Sequence, residues 1–140
     1  MFSCVQKQEM ELVREIRMVE FQRSLVSSIF EKFIDNENVN IRRLTADAIA
    51  KIGNPIHLPI LKKLLNDKEA SVIKKTIFAI GQLGDQDSLL ISLLNDHRFN
   101  LYNNQIISAL GMTKSDYTLT TLQNGLDSYP DSLKSLLFNH

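Results

Sequence analysis

The chain of 140 residues has no tryptophan, one cysteine, three prolines and five glycines, and its 16 basic and 16 acidic side chains leave no formal net charge. Each shortage excludes something. The single Cys4 cannot close a disulfide within the chain, which suits a reducing compartment. As a nucleophile it would need an activating base, and no histidine lies within fifty residues of it in sequence. No stretch approaches the roughly 18 to 20 consecutive apolar residues that a bilayer-spanning helix requires. The start, Met1 to Lys7, turns polar too soon for the apolar core of a secretory signal. The expectation is a cytoplasmic protein without a membrane segment. Balanced charge removes the excess of one sign with which dedicated nucleic-acid binders attract phosphate, so nucleic acid is not the expected partner.

What the chain does have is a cadence. Ala48-Ile49-Ala50-Lys51-Ile52-Gly53-Asn54, Ala79-Ile80-Gly81-Gln82-Leu83-Gly84-Asp85 and Ala109-Leu110-Gly111-Met112-Thr113-Lys114-Ser115-Asp116 recur about every thirty residues. An apolar residue opens a helical pattern upstream of each (Ile41, Val72, and Leu101 or Tyr102). Upstream again stands a polar corner, at Asp35-Asn36, Asn66-Asp67 and Asn95-Asp96. Downstream, Leu58, Ile60, Leu61, Leu64 and Leu65 correspond to Leu89, Leu90, Ile91, Leu93 and Leu94, and more loosely to Leu119, Leu122 and Leu126. Each unit therefore reads as two helices and two corners.

In the first unit Ile41, Leu44, Ala48, Ile49 and Ile52 are spaced by threes and fours along one helix face. In the second, Val72, Ile73, Ile77, Phe78, Ala79, Ile80 and Leu83 cover more than half the circumference, as expected of a helix buried by neighbours on both sides. Gly53 and Gly84 fall where a left-handed residue closes a helix, and Pro59 falls in the first turn of the next one. Residues 6 to 34 read as helix throughout, with a change of phase near Glu20 to Arg23 that means two helices or one bent one. No run alternates with period two, so strands are not expected. The predicted organisation is one domain, with an N-terminal capping hairpin over 1–37, three repeats over 38–126, and a C-terminal helix or truncated repeat over 127–140.

At these residues the chain resembles the short HEAT-like repeats first associated with phycobilisome lyases, whose unit looks like V-R-x-x-A-x-x-A-L-G-x-I-G-D-P-x-A-V-P-x-L. Ile41-Arg42 stands for V-R, Ala48 to Asn54 for A-L-G-x-I-G-D, and Pro55 to Leu61 for the linker and second helix. The second unit keeps Val72 and Ala79 to Asp85 but has Ile73 in place of the arginine and Gln86 and Leu90 in place of the prolines. In the third, Lys114-Ser115 spoils the second glycine corner. The resemblance implies an all-α, right-handed α-α superhelix, a solenoid of about four hairpins, whose inner groove of successive second helices engages another protein. Some members of the family bind nucleic acid, and the lyases assist attachment of a bilin chromophore.

The sharpest charge feature is the basic set Arg42, Arg43, Lys62, Lys63, Lys74 and Lys75, because an offset near 31 would bring the Arg43 and Lys74 positions into adjacent rows. Against a binding role, these side chains are ordinary solvated helix faces, with Arg42 bonding corner carboxylates such as Asp67 in the ladder typical of the resembled family. The stripe also loses its charge at Asn103, Asn104 and Gln105 in the third unit. His57, His97 and His140 show no metal-ligand spacing, so no zinc site is expected. Asp85, Asp87, Asp96, Asp116 and Asp131 read as helix N-caps. Phe99, Tyr102, Tyr117 and Tyr129 read as core or corner packing before binding anchors. No nucleophile with a base, paired carboxylates, phosphate loop or G-x-S-x-G elbow is present. The resulting expectation is a non-enzymatic, cofactor-free scaffold or adaptor that binds a partner protein through Arg43, His57, Lys62, Lys63, Lys74 and Lys75. A bilin-lyase-like chromophore-attachment subunit and a HEAT-like nucleic-acid binder are the alternatives.

Overall fold

The computed structural model describes residues 3–113, and every regular element among them is helical. The first helix, α1 (Cys4–Phe21), starts from a reciprocal cap in which Ser3 Oγ accepts the Gln6 N–H and the Gln6 side chain accepts the Ser3 N–H. It ends at Phe21, where the change of phase near Glu20 to Arg23 pointed to two helices or one bent one; the chain forms two. Arg23 turns into the left-handed region at φ 49°, and a 3-10 turn (Ser27–Phe30) then leads into the short α2 (Glu31–Ile34). The same plan follows twice more. Helix α3 (Val39–Ile52) is joined through a 3-10 turn (Pro55–His57) to α4 (Leu58–Leu64), and α5 (Ala70–Leu83) is followed by α6 (Asp87–Leu94). A last 3-10 turn (His97–Tyr102) enters α7 (Asn103–Thr113).

Helices α1, α3, α5 and α7 pack in that order, each on the next, while α2 lies against α3 and α4, α4 against α5, and α6 against α7. Side chains at matching places explain the order. Ile41 and Val72 in α3 and α5, and Tyr102 just before α7, are buried at corresponding places, as are Ala48, Ala79 and Ala109, and Ile49, Ile80 and Leu110. Thr45 and Thr76, 31 residues apart in sequence, are both fully buried, and each satisfies its hydroxyl by donating to its own helix, to Ile41 O (2.8 Å) and Val72 O (2.7 Å). In the second row Phe30, Ile60 and Leu90, 30 residues apart, are all fully or almost fully buried.

The corners repeat as well. Asn36 Oδ1 accepts the Asn38 N–H (2.8 Å), Asp67 Oδ1 the Glu69 N–H (2.9 Å) and Asp96 Oδ1 the Arg98 N–H (3.0 Å), three copies of one Asx turn. At the other end of the hairpins, Ser24 Oγ accepts the Val26 N–H as Asn54 Oδ1 accepts the Ile56 N–H. Arg23 takes the left-handed place that Gly53 (φ 68°, ψ 22°) fills in the next hairpin, so residues 4–34 are built on the plan of the later units. Gly84 has the positive φ expected of it (73°) but a ψ of 162° in place of the left-handed helical value, and Asp85 follows at φ 53°. As a consequence Asp85 and Asp87 do not cap α6. Its cap position is Gln86, without a capping side-chain bond, and Asp87 is buried in the first turn. Phe99 and Tyr102 are buried, whereas Asp116, Tyr117, Tyr129, Asp131, His140 and the expected elements after Thr113 lie outside the described residues.

In the first row α5 and α7 approach closely at Gly81. A Cβ added at Gly81 would stand 2.9 Å from Ala109 Cβ and 3.0 Å from its Cα, closer than real side chains tolerate. Gly81→Ala is expected to destabilise the protein by about 1–3 kcal/mol through overpacking. Gly111→Ala, in the same helix pair but with nothing within 4 Å among the described residues, is expected to be neutral or to stabilise by up to ~1 kcal/mol through helix propensity. Urea denaturation of the two variants checks both.

Candidate functional site

Of the six basic residues singled out by sequence, Arg42 has a structural role. Its side chain is 6% exposed and donates Nε to Asp67 Oδ2 (2.7 Å), Nη2 to Asp67 Oδ1 (3.3 Å), and Nη1 to the carbonyls of Asn36 (2.8 Å) and Glu37 (3.1 Å). The guanidinium thus fastens the corner before α3 to the corner before α5, as the sequence-based ladder anticipates for Asp67. Four of its N–H groups are used and Asp67 is 5% exposed, so neither partner is offered to a ligand. The next hairpin has Ile73 at this place, and Asp96 is met instead by Arg98, two residues away on the surface (2.8 Å).

The other five, with His57, divide between the two rows. Arg43, Lys74 and Lys75 belong to α3 and α5, which pack side by side; Lys62 and Lys63 belong to α4. Arg43 is half-buried and bonded to Asn40 Oδ1 (2.8 Å). Lys74 is exposed, and Lys75 reaches Asp47 at 3.4 Å while lying over the Phe78 ring. Lys63 bridges to Glu31 on α2 (2.8 Å), and Lys62 is exposed without an ion pair among the described residues. Lys63 and Glu31 line a cleft of about 600 Å³ together with Arg42, Asp67, Asp35 and Lys68. Charges of both signs line it.

His57, expected on the contact surface, is fully buried. Its Nε2 lies 2.7 Å from the Ser24 carbonyl, its Nδ1 3.0 Å from Ser27 Oγ, and its ring meets Phe30 edge-on at 5.1 Å. Because a carbonyl only accepts, Nε2 carries a proton. A serine hydroxyl beside an imidazole is the arrangement of an activated nucleophile. Here, however, Ser27 Oγ is 2.7 Å from the Ile56 carbonyl, to which it donates, and the ring has no opening to solvent. The cluster instead ties the connection between α1 and α2 to the connection between α3 and α4. The signal for burial was in the sequence: His57 is in phase with Ile60, Leu61 and Leu64 on the apolar face of its helix.

A second charge cluster crosses the first row. Asp47 on α3 lies 3.2 Å from Lys51, 3.4 Å from Lys75 on α5 and 3.7 Å from Arg17 on α1, and Arg17 and Lys51 also meet Glu20. Burial pushes the Asp47 carboxyl up, but the hydrogen bond and charge of Lys51, then those of Lys75, outweigh it and hold the group below its ordinary 3.8. The Lys51 ammonium is correspondingly raised, chiefly by its hydrogen bond to Asp47. Among the described residues no group of three or more His, Cys, Asp or Glu could hold a metal, and no helix is long and apolar enough to cross a membrane. Comparison of the chain with models of known families, with curated proteins and with solved structures finds no match.

Two outcomes follow from these clusters. Arg42→Met strands the buried Asp67 carboxylate and is expected to cost about 3–5 kcal/mol. Adding Asp67→Asn should recover part of that loss, and a double-mutant cycle in denaturant measures the coupling. For Asp47, a folded-state pKa below the unfolded value means its contribution is present above the ordinary carboxylate range and is lost as pH falls through the lowered folded value. Asp47→Asn is therefore expected to be less stable than the parent at neutral pH and to lose less stability on acidification, as read by thermal unfolding across a pH series.

Proposed function

We propose that the chain is a right-handed solenoid of HEAT-like hairpins that works in the cytoplasm as a non-enzymatic protein-interaction module. The observation that carries this reading is the recurrence of one hairpin plan at steps of about thirty residues, with α1, α3, α5 and α7 each packed on the next. A unit of that kind leaves one apolar side uncovered and is stabilised by its neighbours, so stacking generates an extended surface without needing a deep cavity. The polar groups that resemble reactive chemistry are consumed by the scaffold: Ser27 and His57 join two connections, and Arg42 and Asp67 join two corners. That supports binding over catalysis.

The surface assigned to the partner is the second-helix side, where the Glu31–Lys63 pair lines the cleft and the neighbouring Lys62 is exposed. The pair is solvent-exposed and contributes at most about 1 kcal/mol to stability, so it is available for exchange with a partner's charges. The mixed signs on the rim favour a protein surface over a phosphate backbone, whose affinity grows with the number of neutralised phosphates. Lys62→Glu combined with Lys63→Gln is expected to reduce recovery of specific partners in affinity purification from the native cell while leaving the thermal unfolding midpoint unchanged. An unaltered partner set would count against this surface.

A further inference from the structure

The first row carries a groove that this reading does not use. It lies between α5 and α7, has a volume of about 180 Å³, and is lined by Lys74, Phe78, Asn104, Gln105, Ser108 and Met112. Two of these are large apolar side chains left partly in water, Phe78 at 39% exposed and Met112 at 37%. Phe78 was expected in the core with the rest of α5; instead it occupies the outward place that Asp47 holds on α3, 31 residues earlier. Met112 is steadied by Gln82, whose Nε2 lies 3.3 Å from the thioether sulfur. At the groove wall the Gln105 Oε1 is shielded from solvent and has no hydrogen-bond partner among the described residues.

The charge around it is one-sided although the chain as a whole is neutral. The two helices that flank it, α5 and α7, carry two charged side chains, Lys74 and Lys75, both basic. Arg42 is neutralised by Asp67, while Asp47 is shared among Arg17, Lys51 and Lys75. Lys74, the only charged residue lining the groove, makes no ion pair among the described residues.

We infer that this groove docks an extended acidic segment of another protein, with one apolar side chain seated between Phe78 and Met112, a carboxylate at Lys74, and main-chain polar groups at the Asn104 and Gln105 amides. The chemistry fits each requirement separately. Aromatic and methionine surfaces accept an aliphatic or aromatic anchor and adapt to its shape. An unpaired lysine attracts a carboxylate-bearing chain and rejects a basic one. Side-chain amides complete the hydrogen bonds of an extended backbone. Single-stranded nucleic acid, the other ligand that combines negative charge with flat apolar groups, fits less well. The Lys75 ammonium stands over the Phe78 ring at 5.2 Å, so that face is not open as a platform for bases, and one unpaired lysine neutralises few phosphates.

The test uses the full chain and a dye-labelled synthetic peptide with one leucine flanked on both sides by glutamates, followed by fluorescence anisotropy. Lys74 and Ser108 are exposed, so Lys74→Glu and Ser108→Gln alter charge and fill the groove without disturbing the core. Each variant is expected to weaken the peptide about tenfold or more, as is replacing the peptide's leucine with serine or its glutamates with glutamines, while Lys62→Glu leaves it unchanged. Thermal unfolding of the variants should match the parent. Absence of peptide binding, binding that Lys74→Glu and Ser108→Gln do not weaken, or binding of an oligothymidylate in place of the peptide would each overturn the assignment.

Discussion

Ala48, Ala79 and Ala109 are buried in the successive helices α3, α5 and α7, and at Gly81 the approach of α5 to α7 leaves no room even for a methyl group. Close backbone approach of this kind requires small residues, and it fixes the spacing of the first row. Once that spacing is fixed, a thirty-residue hairpin has only one way to place its remaining apolar side chains: Ile49 and Ile80 between neighbours in the first row, and Ile60, Leu61 and Leu90 beneath them. The polar corners then fall at regular intervals, which is what allows Arg42 of one hairpin to reach Asp67 at the start of the next.

That geometry also determines which charges remain for other molecules. Arg42 and Asp67 are withdrawn from solvent, and Asp47 is occupied by cations from three helices, so the basic stripe visible in the sequence is much thinner in three dimensions. What remains is local. Lys62 stands on the second row near a cleft of mixed sign, and Lys74 stands on the first row beside the partly exposed Phe78. These are two small, chemically different surfaces on one stack of helices.

Most of the fold was legible because its determinants are local and repeated. The spacing of Ile41, Ala48 and Ile52, the Gly53 corner and the Asn36, Asp67 and Asp96 turns are readable in one dimension, and repetition lets each unit check the others. The failures have a common origin in positions where that local logic is overridden. Arg23 adopts a glycine-like conformation without being glycine, so the phase change near Glu20 to Arg23 left open whether the helix bends or breaks there. His57 was read by its polarity although its phase places it inward, where the Ser24 carbonyl accepts from Nε2 and Ser27 Oγ lies 3.0 Å from Nδ1, both some thirty residues away in sequence. Phe78 was read by its hydrophobicity although it occupies an outward position. The groove was out of reach for the same reason, since Phe78 and Met112 come together only through the packing of α5 on α7.

The central claim is the side-by-side stacking of equivalent helices, and it can be measured without any ligand. In a nuclear Overhauser spectrum of the 16.0 kDa chain, the account predicts strong cross-peaks between the Gly81 α-protons and the Ala109 methyl group, whose carbon would stand 2.9 Å from a Cβ at Gly81. If those cross-peaks are missing while Gly81 or Ala109 shows contacts to residues outside α5 and α7, the stacked arrangement is contradicted.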